Sequence, residues 1–570
     1  MSNYKPASNA GFIKNRGNFL FLVDRQGQVK TSNNATLASN DQKIKIFLNG
    51  VIYNNNGDGL VKGFYAHGIN YINQVEGSFI IFLLDGTQLY ILTDKVNSKK
   101  AFYGYIGDVW YVSNNIDALP RDKCQLSLDG IACYLANGFM LNDLTLFQEI
   151  RSTRRASVHA IENGELYSYS YWEFKFENPA WSIEQFQKYK EELEALLVEG
   201  VKRIYAASST TALSLSAGHD SRSILGILHD KINAPNISCF SYALDDNPGT
   251  GTDAVLSKEM ANYCGYPFQI IRSYDGDLIA HLKNNAREGK CLSNFCDELD
   301  AWHHLAAAAQ FSDVFVGDKC FGKVDIKSGS KPDILASVFI RDSAAIRWLG
   351  NFISKKAYRQ MCQSIDKLAE RVFDTTKAIP DPLEKSHFLY FDQRVDHFLM
   401  PWREYFTSQV GYVHNPFLDG AVLEFFKRLP FQLRKDKFLY IATVRKMLPD
   451  LFSVGMAPTS GCQVDWHREL LKHKDELFSF VQAMDSRLDA IISKKEILHA
   501  IRNFDSWILE LQDFLIKAFN YMYRHKFMEK TLSRIIGPRY HPKGSLVGHD
   551  KLLIRLLLIR IYLSPSSSEK

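Results

Sequence analysis

The residues with the clearest chemical potential are Leu213-Ser214-Leu215-Ser216-Ala217-Gly218-His219-Asp220-Ser221-Arg222. A short apolar run enters a loop of small residues, and Ile224, Leu225, Ile227 and Leu228 then follow at helical spacing. Small residues let a backbone close round an anion, and the first N–H groups of a helix have no partner inside it. Ser216 and Ser221 add hydroxyl donors, and Asp220 is a carboxylate that can hold Mg2+. No lysine follows the glycine, so this is not a Walker A loop. The plainer alternative is a strand-to-helix turn in which Ser and Asp cap the helix.

Elements on both sides must position that loop. From about Ser182, apolar strands alternate with helical stretches: a helix over 185–204, strands over 211–215, 237–242 and 313–316, and a helix over 253–264. Such alternation predicts a parallel sheet covered by helices. The first third reads instead as hairpins, with turns at Asp24–Gly27, Asn49-Gly50, Asp85-Gly86 and Asn163-Gly164. Beyond Trp466 the periodicity is helical, broken at Gly537-Pro538 and Pro542, up to a polar tail from Ser564.

Composition bounds the function. The 570 residues are enough for two or three domains. A net charge of +5 with no basic block argues against nucleic acid. Nine scattered cysteines, none before Cys124 and no CxxC pair, support neither structural zinc nor a disulfide framework. No apolar leader or bilayer-length segment is visible, so the expected compartment is the cytoplasm, with no transmembrane segment.

The loop resembles the Ser-Gly-Gly-x-Asp-Ser pyrophosphate loop of the asparagine-synthetase family, which includes β-lactam synthetases and lasso-peptide cyclases. Further stretches match in order. Phe47–Asn54 resembles the family's Asn-Gly-Glu-Ile strand, and Glu76–Ile80 with Asp94 and Phe102-Tyr103 resembles its central hairpin. Phe240–Leu244, Asp253, Phe315-Val316-Gly317-Asp318 and Asn415-Pro416-Phe417-Leu418-Asp419 continue the likeness in the second domain. The resemblance implies an α/β chain: an N-terminal αββα sandwich of the N-terminal-nucleophile, class II glutaminase type over 1–175, then an ATP-pyrophosphatase domain of the adenine-nucleotide α-hydrolase kind over 176–470, with a helical extension over 471–570. It implies ATP and Mg2+ as cofactors. Leu215, Ser216, Ala217, Gly218, His219, Asp220, Ser221, Tyr242, Val316 and Gly317 would bind ATP and pyrophosphate, and Asp220 and Asp318 would serve as catalytic metal ligands. The implied reaction adenylates a small-molecule or peptide carboxylate and passes it to ammonia or an amine, as in asparagine biosynthesis, and the assembly could be a homodimer. The alternative is a noncatalytic, nucleotide-binding relative.

Departures qualify this. The family's glutaminase uses an N-terminal cysteine; this chain offers Ser2, with Thr93 before Asp94 and Val51 after Asn49-Gly50 where the family has Arg and Glu. The sandwich is therefore expected to keep its fold and to have lost glutamine hydrolysis. Ala217 replaces the loop's second glycine, which costs energy if that position needs positive φ. Gly317-Asp318-Lys319-Cys320-Phe321-Gly322 lacks a second acidic pair, with Lys319 able to offset charge. No Lys or Arg stands between Lys446 and His467, and Met456 lies near the expected lysine.

Other groups are weaker. His303-His304, after Asp297, Glu298 and Asp300, reads more readily as a solvated helix start with one buried histidine than as a metal site. Glu288 and that acidic cluster could touch an amine. Arg394, Asp396 and Arg403 fit a surface ion-pair face or a substrate contact equally well. The 551–563 stretch is expected to pack on the second domain rather than meet a membrane.

Overall fold

The structure is a computed structural model that describes residues 12–565 apart from 207, 236, 246, 247, 309, 310, 319–325, 327, 328 and 505–546. Ser2, the 319–322 segment and the Gly537-Pro538 and Pro542 breaks lie outside the described residues.

The first part is a sandwich. Its strands are β1 (Ile13–Arg16), β2 (Leu20–Val23), β3 (Val29–Lys30), β4 (Leu37–Ala38), β5 (Ile44–Ile52), β6 (Gly77–Asp85), β7 (Gln88–Thr93), β8 (Phe102–Ile106), β9 (Val109–Ser113), β10 (Ile150–Ser152), β11 (Ser157–Glu162) and β12 (Glu165–Ser170). One sheet runs β1-β5-β6-β7-β11-β12 with β4 beside β5; the other runs β10-β8-β9-β2-β3. Alternate residues of each strand face opposite layers. Phe47, Ile80, Phe82 and Ile91 meet Phe21 and Val112 of the facing sheet, whereas Ile46, Leu48, Ile81 and Leu83 pack on α1 (Gly57–His67). Because β5 and β6 are covered on both faces, they read as unbroken apolar runs. The α2 helix (Leu128–Asn137) covers the second sheet through Ile131 and Leu135 against Phe102 and Ile106, completing the αββα layering.

Asn49-Gly50 is not a turn. The β5 strand passes straight through it, with Asn49 paired to Ile80 and Gly50 to Phe79. Gly50 has φ +125°, and a Cβ there would strike the Ser78 carbonyl, so the glycine serves a close strand crossing rather than a reversal.

The helix α3 (Ile183–Ala206) leads into the second part. Its strands β13 (Thr211–Ser214), β14 (Ile237–Ala243), β15 (Phe268–Arg272), β16 (Asp313–Phe315) and β17 (Tyr412–His414) form one parallel sheet in the order β15-β14-β13-β16-β17. Crossovers run through α4 (His219–Gly226), α5 (Asp253–Tyr263), and α6 (Leu278–Gly289) with α7 (Leu299–Ala308). The chain is thus an α/β protein with an N-terminal αββα sandwich, a five-stranded parallel sheet flanked by helices, and C-terminal helices, the layering the sequence leads one to expect.

The last helix, His549–Tyr562, does not pack on the second part alone. It is buried from Leu552 to Arg560 in one apolar core with α2 of the sandwich and Leu278 and Leu282 of α6. Its arginines bind distant segments: wholly buried Arg560 holds Asp489 at 2.6 Å, and Arg555 donates to carbonyls at the end of α2. No helix of the described residues is long and apolar enough to cross a membrane.

Candidate active site

Strand order reverses on the two sides of β13: the chain moves one way to β14 and β15, then returns to β16 on the other side. At such a switch point the loops leaving neighbouring strands diverge and leave a crevice beyond their carboxyl ends. The two loops here are Leu215–Gly218 after β13 and Val316–Asp318 after β16.

The first loop is shaped by its own side chains. The Ser216 N–H donates to Ser221 Oγ at 3.0 Å, and Ser221 Oγ donates back to the Ser216 carbonyl at 3.0 Å. The Ala217 N–H donates to Asp253 at the start of α5 (3.0 Å). Gly218 is the N-cap of α4, and no side chain caps that end. The capping-turn alternative therefore fails: the serines tie the loop to itself rather than capping the helix. Ala217 is absent from the positive-φ residues, and its methyl is buried beneath the sheet, so replacing glycine costs no backbone strain. A Cβ on Gly218 would meet only Ser216 Oγ, at 3.3 Å.

Arg222 holds the loop from behind. It is wholly buried, and its guanidinium donates to the Ala217 carbonyl at 2.9 Å and to the carbonyls of Leu451, Val454 and Gly455 at 3.0, 2.6 and 2.8 Å. That anchors the segment carrying Met456, which is exposed. The sequence marks Arg222 only as a cation inside an otherwise apolar helix face.

The second loop presses against the first. A Cβ on Gly317 would come within 2.5 Å of the Ser221 nitrogen and 2.8 Å of the Asp220 carbonyl carbon, so only glycine allows the approach. Val316 extends the sheet by donating its N–H to the His414 carbonyl at 3.0 Å. Asp318 is gripped by Arg403 through two hydrogen bonds, at 2.7 and 2.9 Å. Burial pushes the Tyr390 hydroxyl up to about 12, with Arg394 pulling the other way and Asp318 and Asp220 adding to the rise.

Opposite lie Tyr242 and Glu298. The Tyr242 hydroxyl is 3.1 Å from Ser214 Oγ, and its ring meets Trp302 edge-on at 5.7 Å. Burial, reinforced by Asp297, pushes the Glu298 carboxyl up to about 7, with Arg403 pulling the other way. The residues suit a nucleotide triphosphate: an open glycine at a helix start, hydroxyls in the loop, and Asp220 on the first turn to hold Mg2+. Asp318 is the poorer cation ligand, because Arg403 already occupies both of its oxygens.

Several expected candidates go elsewhere. His303 pairs with Glu288 at 2.9 Å and exposed His304 with Asp275 at 3.0 Å, so neither is a buried histidine. Glu288 is further occupied by Gln409 at 2.5 Å. Among the described residues no group of three or more His, Cys, Asp or Glu could hold a metal. The ion-pair-face reading of Arg394, Asp396 and Arg403 also fails, because none of the three is exposed. Asp396 is 1% exposed and bonds Lys100 and Asn97 of the sandwich at 2.9 and 2.8 Å.

The sandwich and the sheet meet at a charged seam. Lys14 of β1 reaches Asp313 at 2.6 and 2.8 Å, His414 Nε2 lies 2.6 Å from Asp313, and the Tyr53 hydroxyl lies 3.0 Å from His414 Nδ1. Beside this seam a cavity of about 50 Å3 is lined from one side by Ser78, Ser98 and Lys99 and from the other by Val316, Arg403 and Asn415. Thr93 donates its hydroxyl to the Arg154 carbonyl at 2.7 Å, and Val51 is buried, so neither presents a group to a glutamine.

No family model matches the chain, and no curated protein matches it. Solved structures similar to parts of it include a glutamine phosphoribosylpyrophosphate amidotransferase from B. subtilis complexed with ADP and GMP, at 10% identity over 45% of this chain and 85% of that one, with a TM-score of 0.20. The allosteric regulatory enzyme of purine biosynthesis matches at 9% identity over 45% and 75%, with a TM-score of 0.19. A U34-tRNA thiolase from Methanococcus maripaludis with its 4Fe-4S cluster matches at 10% identity over 59% and 88%, with a TM-score of 0.23. Likeness this distant carries no inference about activity.

Proposed function

We propose that this chain is an ATP-dependent ligase of the asparagine-synthetase kind, which activates a carboxylate and joins it to ammonia or an amine. The observation that carries the reading is the fit of Gly317 against the Asp220–Ser221 peptide at the switch point of the parallel sheet. That contact brings two loops and two carboxylates to one crevice, where α4 offers its uncapped end to phosphate.

In this reading the substrate carboxylate oxygen attacks the α-phosphorus of ATP, and the bond to the β-phosphate bridging oxygen breaks. Pyrophosphate leaves towards Ser216–Ser221, where N–H and hydroxyl donors offset its growing charge. Mg2+, when bound, neutralises phosphate charge, with Asp220 as its protein ligand. Arg403 orients Asp318 beside the leaving group. The amine then attacks the acyl carbon and releases AMP. Glu298, poised near neutrality beside Tyr242 and Arg403, is the group suited to take the amine's proton. Nitrogen comes from free ammonia or a substrate amine, since the Thr93 and Val51 positions offer glutamine nothing.

One observation favours a second reading, a noncatalytic nucleotide-binding module: Arg403 occupies the carboxylate that a second metal contact would need. Calorimetry tests the shared part. ATP-Mg2+ should bind the full chain and bind Asp220→Ala much more weakly at unchanged melting temperature; equal binding would remove the site.

A further inference from the structure

A cavity of about 800 Å3 opens between the second part and the C-terminal helices. One of its walls carries Arg341 and Arg394, and neither guanidinium forms an ion pair with a described residue. Arg341 Nη1 and Arg394 Nε and Nη1 are buried and have no hydrogen-bond partner. Other arginines of this chain with an orphaned nitrogen have acceptors for the rest: Arg222 leaves Nε unbonded but spends both terminal nitrogens on carbonyls, and Arg434 leaves Nη1 unbonded but holds Glu384. Arg555, beside the same cavity, donates to the carbonyls of Leu135, Ala136 and Asn137 at 2.8 to 3.2 Å.

The pair is also held in place. The Arg394 guanidinium lies 4.0 Å from the Phe339 ring centre and 4.9 Å from that of Phe398, stacking that fixes a cation without neutralising it. Phe339 adopts φ +67°, a conformation disfavoured for a bulky residue, and its ring is 46% exposed. Arg394 lies on Tyr390–Leu399, a π-wound stretch of the sort that recurs at functional sites. Burial depresses both guanidinium groups: Arg341 is brought down to about 10, with Asp342 pulling the other way and Arg394 adding to the fall, while Tyr390 and Asp318 partly offset the fall at Arg394. Two desolvated like charges with unused donors await an anion.

One helical run joins the cavity to the crevice: Tyr390–Leu399, which carries Arg394, continues into Met400–Tyr405, whose Arg403 grips Asp318. The cavity's opposite wall is acidic but occupied: Asp297 accepts the Trp466 indole N–H at 2.6 Å, and Asp465 caps the helix Trp466–Lys472. We propose that Arg341 and Arg394 bind a second, non-reacting anionic group of the acyl substrate, which is therefore a diacid or a longer acidic molecule. Which end reacts rests on the adenylation reading above; the anion subsite itself does not.

The test uses the full chain without ATP, with glutarate and butyrate as probes, followed by calorimetry and thermal melting. Glutarate should bind and raise the melting temperature, butyrate should not, and added salt should weaken the effect. Arg341→Met and Arg394→Met should each weaken glutarate binding about tenfold or more, the worth of a charge-assisted hydrogen bond. Both variants should melt no lower than wild type, since an unpaired buried charge is removed. A lower melting temperature would make the pair structural, and equal responses to glutarate and butyrate would dismiss the subsite. Loss of ATP binding with glutarate binding intact would assign the pair to the triphosphate and overturn the proposal. Failure with glutarate while ATP-Mg2+ still binds through Asp220 would sink this inference alone.

Discussion

Arg403 closes on Asp318 with both ends of its guanidinium, 2.7 Å from one carboxylate oxygen and 2.9 Å from the other. The pair stands one residue beyond Gly317, so it fixes the loop that touches α4. Both side chains are 15% exposed, and removing one partner leaves the other charge nearly dry. Asp318→Asn should cost about 3–5 kcal/mol in chemical denaturation. Arg403→Lys should recover only part of the stability lost in Arg403→Met, because an ammonium cannot make the paired contact. Full recovery would show that charge alone matters.

Gly317→Ala drives a methyl into the Asp220–Ser221 backbone, which has no flexible end to yield. Overpacking of this kind costs about 1–3 kcal/mol. Because the strain falls on the phosphate loop, ATP-Mg2+ affinity should drop more than stability. A variant that binds ATP normally would mean that the two loops move apart freely.

The seam between sandwich and sheet should be acid-labile. Burial by itself raises the Asp313 carboxyl, but His414 and Lys14 outweigh it and hold it well below the usual range. Burial, against the pull of Asp313, lowers His414, so the imidazole is neutral and donates from Nε2 while Nδ1 accepts from Tyr53. Both shifts are depressions, so both contribute stability at higher pH that is lost as pH falls: first below about 6.5, as unfolded histidine takes up a proton, then below about 4 for the carboxyl. Lys14→Met should lower stability at pH 7 by about 3–5 kcal/mol and flatten the loss below pH 4. Denaturation midpoints from pH 7 to 3 would show it; parallel curves would contradict it.

Glu298 predicts a pH profile. With its carboxyl near 7, amide formation should rise as pH passes through about 7, where the base form appears. Glu298→Gln should abolish that limb while leaving pyrophosphate exchange intact, since exchange needs no amine. An unchanged limb would assign the proton to another group.

Glutamine should not serve as nitrogen donor. Supplied separately, ammonium or an amine should support AMP release, and glutamine should yield no glutamate above background. Steady glutamate release that vanishes in Ser2→Ala would restore the sandwich as a working glutaminase.

What could be read from the chain followed the range of the interactions. The Asp85-Gly86 hairpin and the β13-loop-α4 unit depend on neighbours a few residues apart, and both form where their residues indicate. Asn49-Gly50 misled because a glycine that admits a crossing strand looks locally like one that turns. Arg394, Asp396 and Arg403 resembled a solvated face because their partners are distant: Asp396 meets Asn97 across 299 residues, and Lys14 meets Asp313 across 299. Arg341 left no sequence signal, and Arg394 stood out only by its charge, since an unsatisfied donor is a property of the surroundings and not of the residue.

The central claim, that the crevice at β13 and β16 adenylates a carboxylate, is tested most directly by ATP–pyrophosphate exchange. Labelled pyrophosphate should enter ATP only with Mg2+ and a suitable acid, glutarate among the first to try, and the exchange should disappear in Asp220→Ala, which should keep its fold. Exchange in Asp220→Ala at the wild-type rate, or tight ATP-Mg2+ binding with no exchange across a broad panel of mono- and diacids, would contradict the account and leave a nucleotide-binding module.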